Sequence, residues 1–176
     1  MKAFIIRHRP ILQFCSLFLL LLLLIPQSIW WLGFYDAIND RLTLGTAITS
    51  TTLLRLLGYQ AVRVDMLIVS PGLSIEIING CNGYLATIIL LSAVFAFPSG
   101  WLPKALGGLG GPVVIFLINQ VRIVSLYLIG LYFPSLFKET HLYVWQTLLI
   151  TATLVVWVAW ADWSLRNQHA ATPRHR

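Results

Sequence analysis

The sequence predicts an all-α integral membrane protein with about four transmembrane helices, a fifth partial one as the alternative, and a small extracytoplasmic β-hairpin. Three observations carry this. The 176 residues are 58% hydrophobic and only 10% charged, where a soluble domain carries about 25% charged residues. One small core cannot hide that much apolar surface. Four apolar runs approach the ~20 residues that a helix needs to cross a ~30 Å hydrocarbon layer. Between the first and second of them, the pattern switches to the two-residue alternation of strands.

The first run, residues 11–32, follows a basic start and imitates a secretory signal. The apolar stretch from Ile11 to Ile25 is long, bulky Trp30 and Trp31 follow it, and no small-x-small site stands near its end. It reads as a retained first helix. Residues 34–80 form an extracytoplasmic insert. Within it, "LTLGTAITSTTLLRLL" (42–57) looks helical but is rich in threonine, so it lies on the membrane surface or enters partway. Next, "AVRVDMLIVSPGLSIEII" alternates: Val62, Val64 and Met66 against Arg63 and Asp65, then Ile75 and Ile77 against Ser74 and Glu76. Pro71-Gly72 between the runs suits a type II turn. A hairpin is expected, its second strand feeding straight into Cys81. The second span is expected at 81–101, the third within 103–133 and the fourth at 142–163. No repeat or linker divides the chain, which reads as one membrane domain whose helices at 81–163 carry the chemistry.

The net charge of +6 does not point to nucleic acid. No basic stripe or RNA-binding motif is present, and the basic residues gather at the ends. Topology explains them better, with lipid as the partner. With Lys2, Arg7 and Arg9 in the cytoplasm, four crossings also leave Lys104, Arg166, Arg174 and Arg176 inside. Arg41, Arg55, Arg63 and Lys138 then lie outside. Cys15 and Cys81 are not expected to pair. No metal-ligand spacing appears, so no metal or cofactor is expected.

Three motifs bear chemistry. In "IEIINGCNGYLATIILL", Asn79 or Gly80 can cap the second helix, which places Cys81 in its first turn. The helix dipole and first-turn amides favour a thiolate there; the alternative is a small residue packing a tight turn. In "INQVRIVSLYLIG", Asn119 and Arg122 share a helix face. An intramembrane arginine costs about 2.5–3.5 kcal/mol on insertion scales and normally faces an interior partner. The alternative is an arginine snorkelling to the interface, with Asn119 joining helices. In "KETHLYVWQ", His141 opens the fourth helix and can exchange protons near neutral pH, or it is merely interfacial. Cys81, Arg122 and His141 can converge near the outer leaflet. A cysteine needs a base, and an acyl-transfer transition state needs a donor for its oxyanion. Depth is open. A third helix starting at Gly111 puts Arg122 ~16 Å above the inner surface, whereas a start at Pro103 puts it ~28 Å up, level with Cys81. In the second case "GGLGGP" (107–112) interrupts the helix.

The motifs "IEIINGCNGYLA", "NQVRI" and the later His141, in this order and hydropathy frame, resemble the exosortase/archaeosortase family over roughly residues 55–150, and look most like its compact exosortase H branch. Asn82 departs from the family's usual small hydroxyl residue after the cysteine. The resemblance implies a membrane cysteine transpeptidase that cleaves the C-terminal sorting tails of exported proteins and transfers them to an acceptor. Such a tail carries a short motif, a membrane helix and a basic end. By carry-over Cys81 is the nucleophile, Arg122 the oxyanion or substrate stabiliser and His141 the general acid/base, while Asn119 orients Arg122 or substrate. The implied setting is the inner membrane of Gram-negative bacteria, with the site facing the periplasm. Glu76 can help to position substrate, or is simply an exposed strand residue. Two other readings compete: a non-enzymatic membrane subunit using Asn119 and Arg122 for helix association, and a small transporter with Arg122 lining a polar path.

Overall fold

The computed structural model describes residues 2–171, with side chains from 8 to 168. Lys2, Arg7, Arg174 and Arg176 of the topology reading lie outside the described side chains. The chain runs α1 (Lys2–Trp31), α2 (Tyr35–Leu56), β1 (Val62–Val64), β2 (Leu67–Ser70), β3 (Leu73–Glu76), α3 (Tyr84–Ala96) and α4 (Trp101–Tyr132). A 3-10 turn (Pro134–Leu136), a single α-turn α5 (Phe137–Glu139) and a π-helical turn (Thr140–Val144) then lead into α6 (Trp145–Ala171). Among the described residues, His8–Trp31, Trp101–Tyr132 and Pro134–Gln168 are long and apolar enough to cross a membrane. The molecule is a helical membrane protein with a small sheet.

The expected second span is shorter than 81–101. Helix α3 has 13 residues, about 20 Å of helix. Gly83 opens it with φ +80°, a left-handed conformation that a helix interior does not hold. Phe97 ends it in an extended conformation, as the residue before a proline must when the ring of Pro98 disfavours the helical region. α3 nevertheless sits centrally, packed by α1, α4 and α6. Leu90 and Val94 on α3, Ile115 on α4 and Leu149 on α6 form one core. Phe14 of α1 stacks on Trp157 at 5.5 Å and meets Phe97 edge-on at 6.3 Å.

α4 runs unbroken through the glycine-rich stretch for 32 residues. Gly107 and Gly111 are contact points rather than a break. A Cβ on Gly107 would stand 2.4 Å from Trp160 Nε1, and one on Gly111 2.6 Å from Leu90 Cδ2. Small residues let membrane helices approach closely enough for dispersion to hold them. Trp160 cannot simply retreat, because its Nε1 donates to the Pro103 carbonyl at 3.0 Å. Gly107→Ala is therefore expected to destabilise the bundle by about 1–3 kcal/mol, the usual cost of overpacking. An SDS unfolding titration of micelle-bound protein measures this.

The sheet has three strands in the order β1-β2-β3, all antiparallel, rather than a single hairpin. Pro71-Gly72 makes the second turn as expected, with Gly72 at φ +89°. The additional turn is Asp65-Met66, between the paired Val64 and Leu67. Asp65 takes φ +52°, a conformation that aspartate tolerates better than most residues. The alternation holds in β3, but β1 is exposed along its whole length. Ile68 of β2 and Ile77 are fully buried with Leu54 of α2 and Ile123 and Tyr127 of α4, forming a second core.

α2 is a full 22-residue helix. It buries a polar stripe, Asn39, Thr43, Thr46 and Ser50, at helical spacing. That face packs against α4, where Ser50 Oγ donates to Gln120 Oε1 at 2.7 Å.

Candidate active site

The site forms where the loop from β3 to α3 meets α4 and the π-helical turn. β3 ends at Glu76, and Ile77 to Gly80 carry the chain onward to Cys81. The Cys81 amide closes a turn on the Ile78 carbonyl at 3.0 Å. Cys81 therefore precedes α3 by three residues instead of lying in its first turn, so the helix-dipole argument for a thiolate does not apply. The structure also explains Asn82. Its side-chain amide donates to Asn39 Oδ1 (3.0 Å) and Thr43 Oγ1 (3.1 Å) of α2, while its Oδ1 accepts from the Tyr84 amide at 3.0 Å. A buried asparagine so satisfied fixes the loop rigidly. This role is not visible along the chain near Asn82; its signal lies in the polar stripe of α2, which calls for a buried polar partner.

The structure brings Cys81, Arg122 and His141 together. Cys81 Sγ lies 3.0 Å from His141 Nε2 and 3.7 Å from Arg122 Nη2. Because α4 is unbroken, Arg122 stands 21 residues beyond Trp101, about 32 Å along the helix, and level with Cys81. His141 stands in the π-helical turn, a feature frequent at functional sites. Its ring lies 5.9 Å from that of Phe137. Asn119 reaches the cysteine itself. Its Nδ2 donates to the Cys81 carbonyl at 2.8 Å, so it holds the main chain of the cysteine and not Arg122. Asn119 and Arg122 are 0% and 1% exposed. Neither is offered to a partner helix at the surface, which counts against the subunit reading.

The guanidinium is short of partners. Arg122 Nε and Nη1 are buried without a hydrogen bond, as is Asn119 Oδ1. Among the described residues no carboxylate pairs with Arg122. A buried charge in this state is costly unless an anion or developing negative charge completes it. The sulfur is the nearest group able to carry such charge.

A cavity of about 340 Å³ opens beside the cysteine, within the ~300–1,000 Å³ range of ligand clefts. Cys81, His141 and Glu76 line it together with Ile123, Leu126 and Phe137. Glu76 is thus at the site, exposed at the end of β3. No group of three or more potential metal ligands occurs among the described residues.

Burial pushes the Cys81 thiol up, and the nearby Arg122 charge pulls it partly back. A raised value means less thiolate at neutral pH, so His141 has a proton to remove when the sulfur attacks. In a Cys15→Ala background, alkylation of Cys81 by iodoacetamide is expected to rise with pH through a midpoint above that of an ordinary exposed thiol.

A family model described as transmembrane exosortase (Exosortase_EpsH) matches residues 8–157. No curated protein and no solved structure matches.

Proposed function

The chain belongs to the transmembrane exosortase family, and from that premise we propose that it is a membrane cysteine transpeptidase. Its substrates are exported proteins whose C-terminal tails carry a short motif, a membrane helix and a basic end. Its setting is the bacterial inner membrane, with the site on the periplasmic side. The single observation that carries the reading is the contact of one sulfur with both an imidazole and an otherwise unpartnered guanidinium.

The chemistry follows from those contacts. Nε2 of His141 takes the Cys81 proton as the sulfur attacks the scissile carbonyl, forming the C–S bond. The carbonyl oxygen becomes an oxyanion, and Arg122 N–H groups stabilise it. Collapse breaks the C–N bond, and His141 returns its proton to the leaving amine. A thioester remains on Cys81 until an acceptor nucleophile, or water, attacks it and frees the thiol. Asn119 and Asn82 keep the cysteine loop still throughout. The membrane helix of the substrate brings its scissile bond to the site by lateral diffusion.

Hydroxylamine tests this directly, because it intercepts thioesters. Added during processing of a tagged tail, it is expected to convert the new C-terminus to a hydroxamate, read by mass. An exclusively carboxylate or acceptor-linked product at saturating hydroxylamine, together with continued cutting by Cys81→Ala, overturns the proposal.

A further inference from the structure

The cavity beside Cys81 has one wall that this chemistry leaves unused. All four residues of β3, Leu73 to Glu76, line it, and no residue of β1 or β2 does. Side chains alternate across a strand, so a cavity meeting one face would touch alternate residues. Touching all four, it runs along the edge of the strand. β3 is a terminal strand of the sheet, so this edge is the open one.

The register says which main-chain groups face the cavity. The Ile77 amide donates to the Met66 carbonyl at 3.0 Å, and Ile75 and Leu73 oppose Ile68 and Ser70. Bonded positions alternate in an antiparallel pair. Leu73, Ile75 and Ile77 therefore turn their main-chain groups to β2, while Ser74 and Glu76 turn theirs outward. No described residue hydrogen-bonds to those outward groups. An open row of donors and acceptors is a template for a further strand, and pairing with such an edge is a general mode of peptide recognition.

We infer that β3 receives the substrate segment beside the scissile bond as a fourth strand, paired through Ser74 and Glu76. This rests on the reading of Cys81 as the nucleophile. The occupant is an extended peptide, because a helix spends its main-chain groups on itself and offers none to the edge. Gly130 of α4 shapes the facing wall: a Cβ there would stand 3.1 Å from Leu73 and 3.3 Å from Phe137. Recognition by the main chain tolerates varied side chains and presents the carbonyl flat toward the sulfur. Glu76 then acts through its backbone, with its carboxylate free at the rim.

The probe is an acetylated tri-alanine chloromethyl ketone, which alkylates Cys81, used on the full chain carrying Cys15→Ala. Its rate is taken as a ratio to iodoacetamide on the same protein. Methylating successive peptide nitrogens is expected to give a two-residue pattern. One parity loses about tenfold, near 1.4 kcal/mol, and the other changes less than about twofold. Equal effects at every position, or none, overturn the inference. Ser74→Pro removes one outward donor and spares pairing with β2, a place where an edge strand accepts proline. It is expected to lower the ratio by about tenfold; an unchanged ratio overturns the inference. If Ser74→Pro does not fold, the methylation series on the unmutated edge decides. The proposed function fails separately, through tail processing by Cys81→Ala.

Discussion

Cys81→Ala is expected to leave a tagged C-terminal tail uncut, a loss of roughly 10⁴-fold or more, while the protein stays in the membrane at its usual level. The size of the effect follows from the geometry. Cys81 Sγ is held at 3.0 Å from the imidazole, and Cys15, the other cysteine, is an exposed residue of α1 remote in sequence. No neighbouring residue can substitute, because the Asn82 side chain is committed to Asn39 and Thr43. His141→Ala should cost about as much, since the buried thiol loses its proton acceptor. The double variant should be little worse than either single one, because residues that act as a unit are grossly non-additive. Pulse-chase of the tail and its conversion on gels measure all three variants. Stability should hardly move. Cys81 is small, and its loop stays fixed by Asn82 and by the Asn119 bond to its main chain, which alanine keeps. Full processing by Cys81→Ala would remove the sulfur from the mechanism altogether.

What the sequence disclosed, and what it hid, follows physical lines. Hydropathy marks the long helices because the bilayer sets their length. The α1 and α4 regions and the run ending in α6 stand out on that ground. The ends of α3 are hard to read because its apolar stretch continues past them; only Gly83 and Pro98 mark where the backbone leaves the helix. The extra turn at Asp65-Met66 was hidden inside a run that alternates as one strand. The meeting of sulfur, guanidinium and imidazole was legible as residue types with complementary roles. Its geometry was not, because it depended on whether "GGLGGP" broke the third helix. Those glycines turned out to serve contacts with Trp160 and Leu90, a tertiary fact invisible along one chain. Asn82 likewise looked like a departure from a motif until its partners on α2 were in place. A stripe of short polar side chains repeating at helical spacing is the kind of pattern that signals such a partner.

Arg122→Met separates activity from stability in opposite directions. Removing one oxyanion donor typically costs about 10²–10³ in kcat, and that loss is expected here for tail cleavage. Stability is expected to hold or to rise. Breaking a buried ion pair is destabilising because it strands the other charge, but Arg122 has no carboxylate partner among the described residues to strand. Exchanging an unpaired buried charge for a hydrophobe of similar length removes its desolvation cost. A methionine is flexible and apolar and fills irregular gaps of this kind. A third readout has a fixed sign. Arg122 pulls the Cys81 thiol down, so the variant should titrate higher and alkylate more slowly at neutral pH. Arg122→Lys keeps the charge and loses the planar fork, so it should fall between the two. An SDS unfolding titration, the pH profile of iodoacetamide labelling and tail conversion are all needed. If Arg122→Met unfolds the bundle while the surviving folded fraction cuts normally, the guanidinium is a structural strut, and the developing charge in the reaction must be met elsewhere.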